Sequence, residues 1–135
     1  MPGIASAPCR DMKRPFDIQD RSFLFATEII DFCRPALPAG GVVRELARQL
    51  LRAGTSIGAN LEEASAGQSG ADFRSKLAIS RKEAREARYW LRLMTHADRR
   101  LESTAAPLTD EAQQIVQILT TIKLNSEQNE RRAKR

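Results

Sequence analysis

Residues Val42 to Ala66 read VVRELARQLLRAGTSIGANLEEASA, a stretch without a proline. One row of side chains, Val43, Leu46, Leu50, Ala53, Ile57, Asn60 and Ala64, recurs at alternating steps of three and four. That spacing stacks residues on one face of an α-helix. A second row beside it, Ala47, Leu51, Gly54, Gly58, Leu61 and Ser65, is small in its middle. Each glycine costs about 1 kcal/mol of helix stability relative to alanine. Close approach by another helix offsets that cost; the alternative is a kink at Gly54 or Gly58. On either reading the segment is a long bundle helix, the second of the chain.

Upstream, Asp17 or Asp20 is placed to cap a first helix, whose apolar residues Phe23, Ala26, Ile30 and Cys33 fall at steps of three and four, with Ile29 beside them. Pro35 stops it, and Pro38, Gly40 and Gly41 make a turn. Residues 1–15 carry no periodic apolar face and are interrupted by Pro2 and Pro8, which predicts a disordered leader. Downstream, Gly67 to Gly70 is a break, and Ser69 with Asp72 three residues on resembles a capping arrangement. The third helix follows, with Phe73, Leu77, Ser80, Ala84, Ala87, Leu91 and Met94 as its core row. At 1.5 Å per residue it spans about 45 Å. Glu102 to Pro107 reads as a loop and Thr109 as the cap of a fourth helix carrying Leu108, Ala112, Ile115, Leu119 and Ile122, ending near Asn125. Residues 126–135 form a polar, basic tail. Short connections favour antiparallel neighbours, so the fold class is all-α, an antiparallel up-and-down four-helix bundle over residues 16–125.

Composition agrees. A chain of 135 residues has room for one domain. Aromatics are only 5%, which favours helices over a sheet. No apolar run approaches the roughly 20 residues of a membrane span, so no membrane partner is expected. Cys9 and Cys33 lack CxxC spacing and offer no disulfide framework, which fits a reducing cytoplasm.

Catalytic chemistry finds little to work with. His96 is the only histidine and stands among charged neighbours, so it reads as a surface residue. One histidine and two distant cysteines do not make a zinc site, the Glu-x-x-His pairs of a di-iron bundle are absent, and no glycine-rich phosphate loop follows a strand. The expectation is a protein that is not an enzyme and holds no metal or cofactor.

Charge is more informative. Net charge is +5, and residues 70–102 hold nine basic against five acidic side chains. Within them Arg74, Arg81, Arg85, Arg88, Arg92 and Arg99 fall within about 60° of one another at 100° per residue. This arginine stripe beside the apolar row has three readings: a solvated face, salt bridges to a partner or neighbouring subunit, or a track for nucleic-acid phosphates. Tyr89 and Trp90 either stack on bases or pack at a bundle edge. On the second helix Arg52, Ser56, Asn60 and Glu63 share a strip at steps of four, four and three. Arg52 and Glu63 lie about 16 Å apart along one helix, too far to pair, so each looks to solvent, another helix or another subunit.

At this strip the sequence from Gln49 to Ala64 resembles the signature helix of the bacterial four-helix bundle proteins, which include those encoded by intervening sequences inside large-subunit ribosomal RNA genes. Asp72-Phe73, Lys76-Leu77, Lys82-Glu83-Ala84-Arg85-Glu86 and Tyr89-Trp90-Leu91-Arg92-Leu93 are similar to that family's third helix. The likeness covers roughly residues 16–124; Gly58 stands where many members have proline, and Ala64 where many have glycine. The resemblance implies a non-catalytic bundle that assembles as a barrel-like homopentamer. It also implies kinship with the accessory protein of diversity-generating retroelements, which binds nucleic acid and a reverse transcriptase. Arg52, Ser56, Asn60 and Glu63 match signature positions with no catalytic duty attached. The expected function is a homo-oligomeric module with RNA or DNA as partner through the Arg74 to Arg99 stripe; the alternative is a protein-interaction scaffold whose arginines meet carboxylates such as Glu62 and Glu63 across subunits.

Overall fold

The computed structural model describes residues 15–67 and 69–135. The expected leader therefore lies outside the described residues except for Pro15, which is already helical. The elements are α1 (Pro15–Cys33), a short α2 (Ala36–Ala39), α3 (Gly41–Ser65), α4 (Gly70–Ala97) and α5 (Glu102–Ala133), with a 3-10 turn at Arg99–Leu101. Among the described residues there is no strand. Helix α1 packs on α3, α3 on α4, α4 on α5, and α5 back on α1. Joined by short connections, these four make the antiparallel up-and-down bundle that the periodicity predicts.

The rows on α3 and α4 hold. Leu50, Ala53 and Ile57 are buried from one α3 row and Ala47, Gly54 and Leu61 from the other. Leu77, Ser80, Ala84, Ala87, Leu91 and Met94 are all buried on α4. Ser80 is satisfied there, its hydroxyl donating to the Ile57 carbonyl at 2.8 Å across the α3–α4 seam. Helix α3 runs through both glycines without interruption. A Cβ at Gly54 would meet the Ile29 side chain at 3.0 Å, so close approach by α1 is what that glycine serves. The Ser69 hydroxyl accepts from Asp72 N at 3.1 Å and caps α4 as expected.

Other expectations need correcting. On α1 the buried row is Ile18, Ser22, Phe25, Ile29 and Cys33, whereas Phe23 is 71% and Ile30 38% exposed. The helix carries two apolar stripes, and the bundle uses the one that contains a serine. Neither Asp17 nor Asp20 is a cap, because the helix already includes Pro15, and proline is well suited to a first turn. Pro38 lies within the short α2, and the change of direction falls on Gly40 and Gly41, with φ of 75° and 67°, values that favour glycine.

Residues 102–107 are helical rather than a loop. The Asp98 carboxylate accepts from Arg100 N at 3.1 Å and starts the turn upstream of the expected cap. Pro107 is then an exposed residue near the start of α5, where the one backbone donor it lacks leaves a carbonyl that water can reach. Thr109 is inside the helix, its hydroxyl donating to the Ala105 carbonyl at 2.9 Å. Helix α5 also passes Asn125 and takes the basic tail to Ala133. Lys123 with Glu127 at 3.4 Å and Glu130 with Lys134 at 3.8 Å support these turns at i,i+4. Arg131 and Arg132 complement the helix C-terminus.

Arg21 on α1 binds Glu111 and Gln114 on α5. Counting 1.5 Å per residue from that point, α5 beyond about residue 120 has outrun the described part of α1. There it leans on α4, where Arg74 and Glu130 pair at 2.6 Å.

Candidate nucleic-acid interface

The α4 arginines of the stripe, about 100° round from the core row, lie toward α5, as the Arg74–Glu130 pair and the groove that Arg88 and Arg92 share with Thr109 and Asp110 show. Its members do not share one environment. Arg74 is drawn into the bundle, its side chain only 17% exposed and paired with Glu130. Arg81 is partly buried, its Nε without a hydrogen-bond partner among the described residues. Arg85, Arg92 and Arg99 are exposed and Arg88 is half-buried. Among the described residues, none of Arg81, Arg85, Arg88, Arg92 and Arg99 pairs with a carboxylate. Arg85, Arg88 and Arg92 thus present cationic side chains along α4 and Arg81 does so in part, whereas Arg74 is taken by Glu130. Arg99, expected on the same helix face, lies off α4 in the 3-10 turn that follows the extended Asp98.

Two hollows interrupt the track. Between α4 and α5 a groove of about 500 Å³ is lined by Arg88, Arg92 and Thr95 on one side and by Glu102, Thr109, Asp110 and Gln113 on the other. Along α4 itself, a smaller hollow of about 360 Å³ lies among Ala78, Arg81, Lys82, Arg85, Glu86 and Tyr89. Lys82 reaches toward Glu83 and Glu86 at 3.9 Å. Tyr89 is 52% exposed. Its ring meets Trp90 edge to face, with centroids 5.4 Å apart and planes at 71°. Trp90 packs against the core.

The strip Arg52, Ser56, Asn60 and Glu63 borders the α3–α4 seam and does not converge on a site. Ser56 Oγ donates to the Arg52 carbonyl at 2.7 Å, and Asn60 Nδ2 to the Ser56 carbonyl at 2.8 Å. Glu63 takes Lys76 of α4 at 3.3 Å. Arg52 lies near Glu83, whose carboxyl is held above its ordinary range by burial first and by Glu86 next, with Lys82 and Arg52 opposing. Both ends of the strip therefore look to α4 of the same chain.

Sequence reasoning missed the polar knot between α1 and α5. Arg21 Nε donates to Glu111 Oε2 at 2.5 Å and Arg21 Nη2 to Glu111 Oε1 at 2.7 Å, a two-point contact. The hydrogen bond to Glu111 raises the Arg21 pKa. Its partners are ninety residues apart, with no local signal to join them. His96 is exposed. Among the described residues no group of three or more His, Cys, Asp or Glu is placed to hold a metal ion. No described helix is long and apolar enough to cross a membrane.

Both a family model and solved structures are similar to this chain. The family model described as 23S rRNA-intervening sequence protein matches residues 14–121. A crystal structure at 1.70 Å of a protein with unknown function, from the S23 ribosomal protein family of Bacteroides thetaiotaomicron, matches with a TM-score of 0.72 and 34% identity, over 78% of this chain and 97% of that one. No curated protein matches with significance.

Proposed function

The chain belongs to the 23S rRNA-intervening sequence protein family, and from that footing we propose that it is a non-catalytic, homo-oligomeric bundle that binds nucleic acid through the outer face of α4. The observation that carries this reading is that Arg81, Arg85, Arg88 and Arg92 on α4, and Arg99 just past it, have no carboxylate partner among the described residues. Arginines one turn apart repel one another unless an anion offsets them, and a phosphate backbone supplies anions at a regular spacing. The basic last turns of α5, with Arg131, Arg132, Lys134 and Arg135, add to the same field. Self-association is supported by the second apolar stripe of α1, where Phe23, Leu24 and Ile30 are exposed. The pentameric count comes from the resemblance.

A second reading, the protein-interaction scaffold, has one observation in its favour. Glu102 and Asp110 line the same groove as Arg88 and Arg92, so that groove presents both signs of charge. A protein partner such as a reverse transcriptase suits such a surface better than a phosphate chain does.

Purified protein titrated into labelled RNA and DNA by fluorescence anisotropy, over a salt series, tests the proposal. Subunit mass is read by light scattering on the same sample. Affinity that falls linearly in log salt is the expected result, since each phosphate contact releases a counterion. A well-formed oligomer that binds neither nucleic acid at low salt would overturn the nucleic-acid reading in favour of the scaffold.

A further inference from the structure

We infer that the hollow on α4 bounded by Arg81, Lys82, Arg85, Glu86 and Tyr89 holds one nucleotide of a single strand, with the base on the Tyr89 ring and the phosphate on Arg81 and Arg85. The inference rests on the nucleic-acid reading above and narrows it to unpaired strands. The hollow has about 360 Å³ of space, open to solvent, with an aromatic ring at one end and two guanidinium groups along its side.

Each part of the hollow matches a part of a nucleotide. Tyr89 is half exposed, and its edge-to-face contact with Trp90 covers at most one ring face. Trp90 is seated against the core, so the tyrosine has a fixed neighbour and loses little freedom when a base stacks on it. Arg81 lines the hollow and has no carboxylate partner among the described residues, so its guanidinium is available to an anion there. Arg85, one turn on, is exposed with no described carboxylate partner. Glu86 does not cancel the pair, because Lys82 is the cation that reaches toward it.

The ring is what separates single strands from duplexes. In a duplex the base faces are covered by their neighbours, so Tyr89 reaches none and only phosphate contacts remain. In a single strand a base is free to leave its neighbours and stack on an aromatic side chain. From Arg81 the track continues through Arg88 to Arg92, about 16 Å along the helix, which is room for a few nucleotides beyond the one in the hollow.

Trp90 is the only tryptophan and touches the only tyrosine, so its fluorescence reports on the hollow. Single-stranded 12-nucleotide RNA and DNA and the matching 12-base-pair duplex are titrated against the wild-type protein, Tyr89→Ala, Tyr89→Phe and Arg85→Ala. The single strands are expected to bind more tightly than the duplex and to change Trp90 emission, which the duplex leaves unaltered. Tyr89→Ala weakens single-strand binding about five- to a hundredfold, spares duplex binding, and leaves the salt slope as it was. Tyr89→Phe keeps wild-type affinity, and Arg85→Ala lowers the salt slope by about one. Equal affinity of wild type and Tyr89→Ala for single strands, or unaltered Trp90 emission on saturation, overturns the inference while salt-dependent binding keeps the broader reading alive. Failure of every nucleic acid to bind at low salt overturns both. The emission measurement needs only the wild-type chain, so it decides the matter even if a variant folds poorly.

Discussion

Gly54 of α3 and Ile29 of α1 meet so closely that a Cβ on Gly54 would lie 3.0 Å from both Cγ1 and Cγ2 of Ile29. Ile29 is fully buried and β-branched, so it has little room to turn aside. Overpacking at Gly54→Ala costs about 1–3 kcal/mol and helix propensity returns about 1 kcal/mol, so a net destabilisation of up to about 2 kcal/mol is expected. At Gly58 the nearest atom to an added Cβ would be Ser22 Cβ at 3.7 Å, an ordinary contact. Gly58→Ala should stabilise by about 0.5–1 kcal/mol. Urea titrations followed by circular dichroism read both, and a stabilised Gly54→Ala would show that α1 and α3 can move apart without loss.

Reversing charge on the stripe separates its two roles. The triple variant Arg81→Glu, Arg88→Glu and Arg92→Glu changes positions that make no described ion pair within the chain. Its circular dichroism and subunit mass should match wild type while RNA binding is abolished. Loss of the oligomer instead would place these arginines at a subunit interface.

Two carboxyls give the stability a pH dependence of known sign. Burial raises Glu28 above its ordinary value of 4.5, with the charges of Glu111 and Asp31 adding to it. Burial likewise raises Glu83, with Glu86 adding to it. An acid that is harder to ionise when folded favours the native state while protonated, below its unfolded value. That contribution is lost as pH rises through the raised folded value. Glu28→Gln and Glu83→Gln should therefore raise the thermal midpoint at pH 7, and the gain should shrink toward zero as pH falls below about 4. A gain independent of pH would mean that the charge on these side chains is not what costs stability.

Cys33 is buried against the α3 backbone, its thiol donating to the Ala47 carbonyl at 3.5 Å. Burial pushes its pKa up to about 11. At pH 8 the native thiol is thus almost wholly protonated and shielded, and thiol reagents need the thiolate. In a Cys9→Ser background, labelling by a chromogenic disulfide should be slow in buffer and accelerate with urea in step with unfolding. Labelling in buffer at the rate of a free thiol would place Cys33 outside the core.

The parts of the fold that were legible are those where periodicity ran long enough to average out single residues. The seven α3 positions from Val43 to Ala64 contain one polar side chain, Asn60, and the row survives it. Helix α1 has only nineteen residues and two apolar stripes; choosing between them depends on Ser22, a buried serine that no hydropathy argument selects. The start of α5 was obscured because Pro107 reads as a breaker unless Asp98 is recognised as the cap nine residues earlier. Within the stripe, geometry on one helix groups the five arginines of α4, but Arg99 falls past the helix end in the 3-10 turn, and that Arg74 answers to Glu130 depends on how far α5 extends along α4. Pairings such as this one and Arg21 with Glu111 are consequences of tertiary packing, and spacing along the chain carries no trace of them.

Because α5 outruns the described part of α1, its last turns stand at one end of the described bundle, and that end carries Arg131, Arg132, Lys134 and Arg135. In the proposed ring of copies, rotation sets equal residues at equal heights. The helix ends would then gather into a cationic collar on one rim. A strand long enough to touch two neighbouring helix ends gains avidity from raised local concentration, without any new contact. Length of the nucleic acid, rather than its sequence, would then be the main determinant of how tightly the assembly holds it.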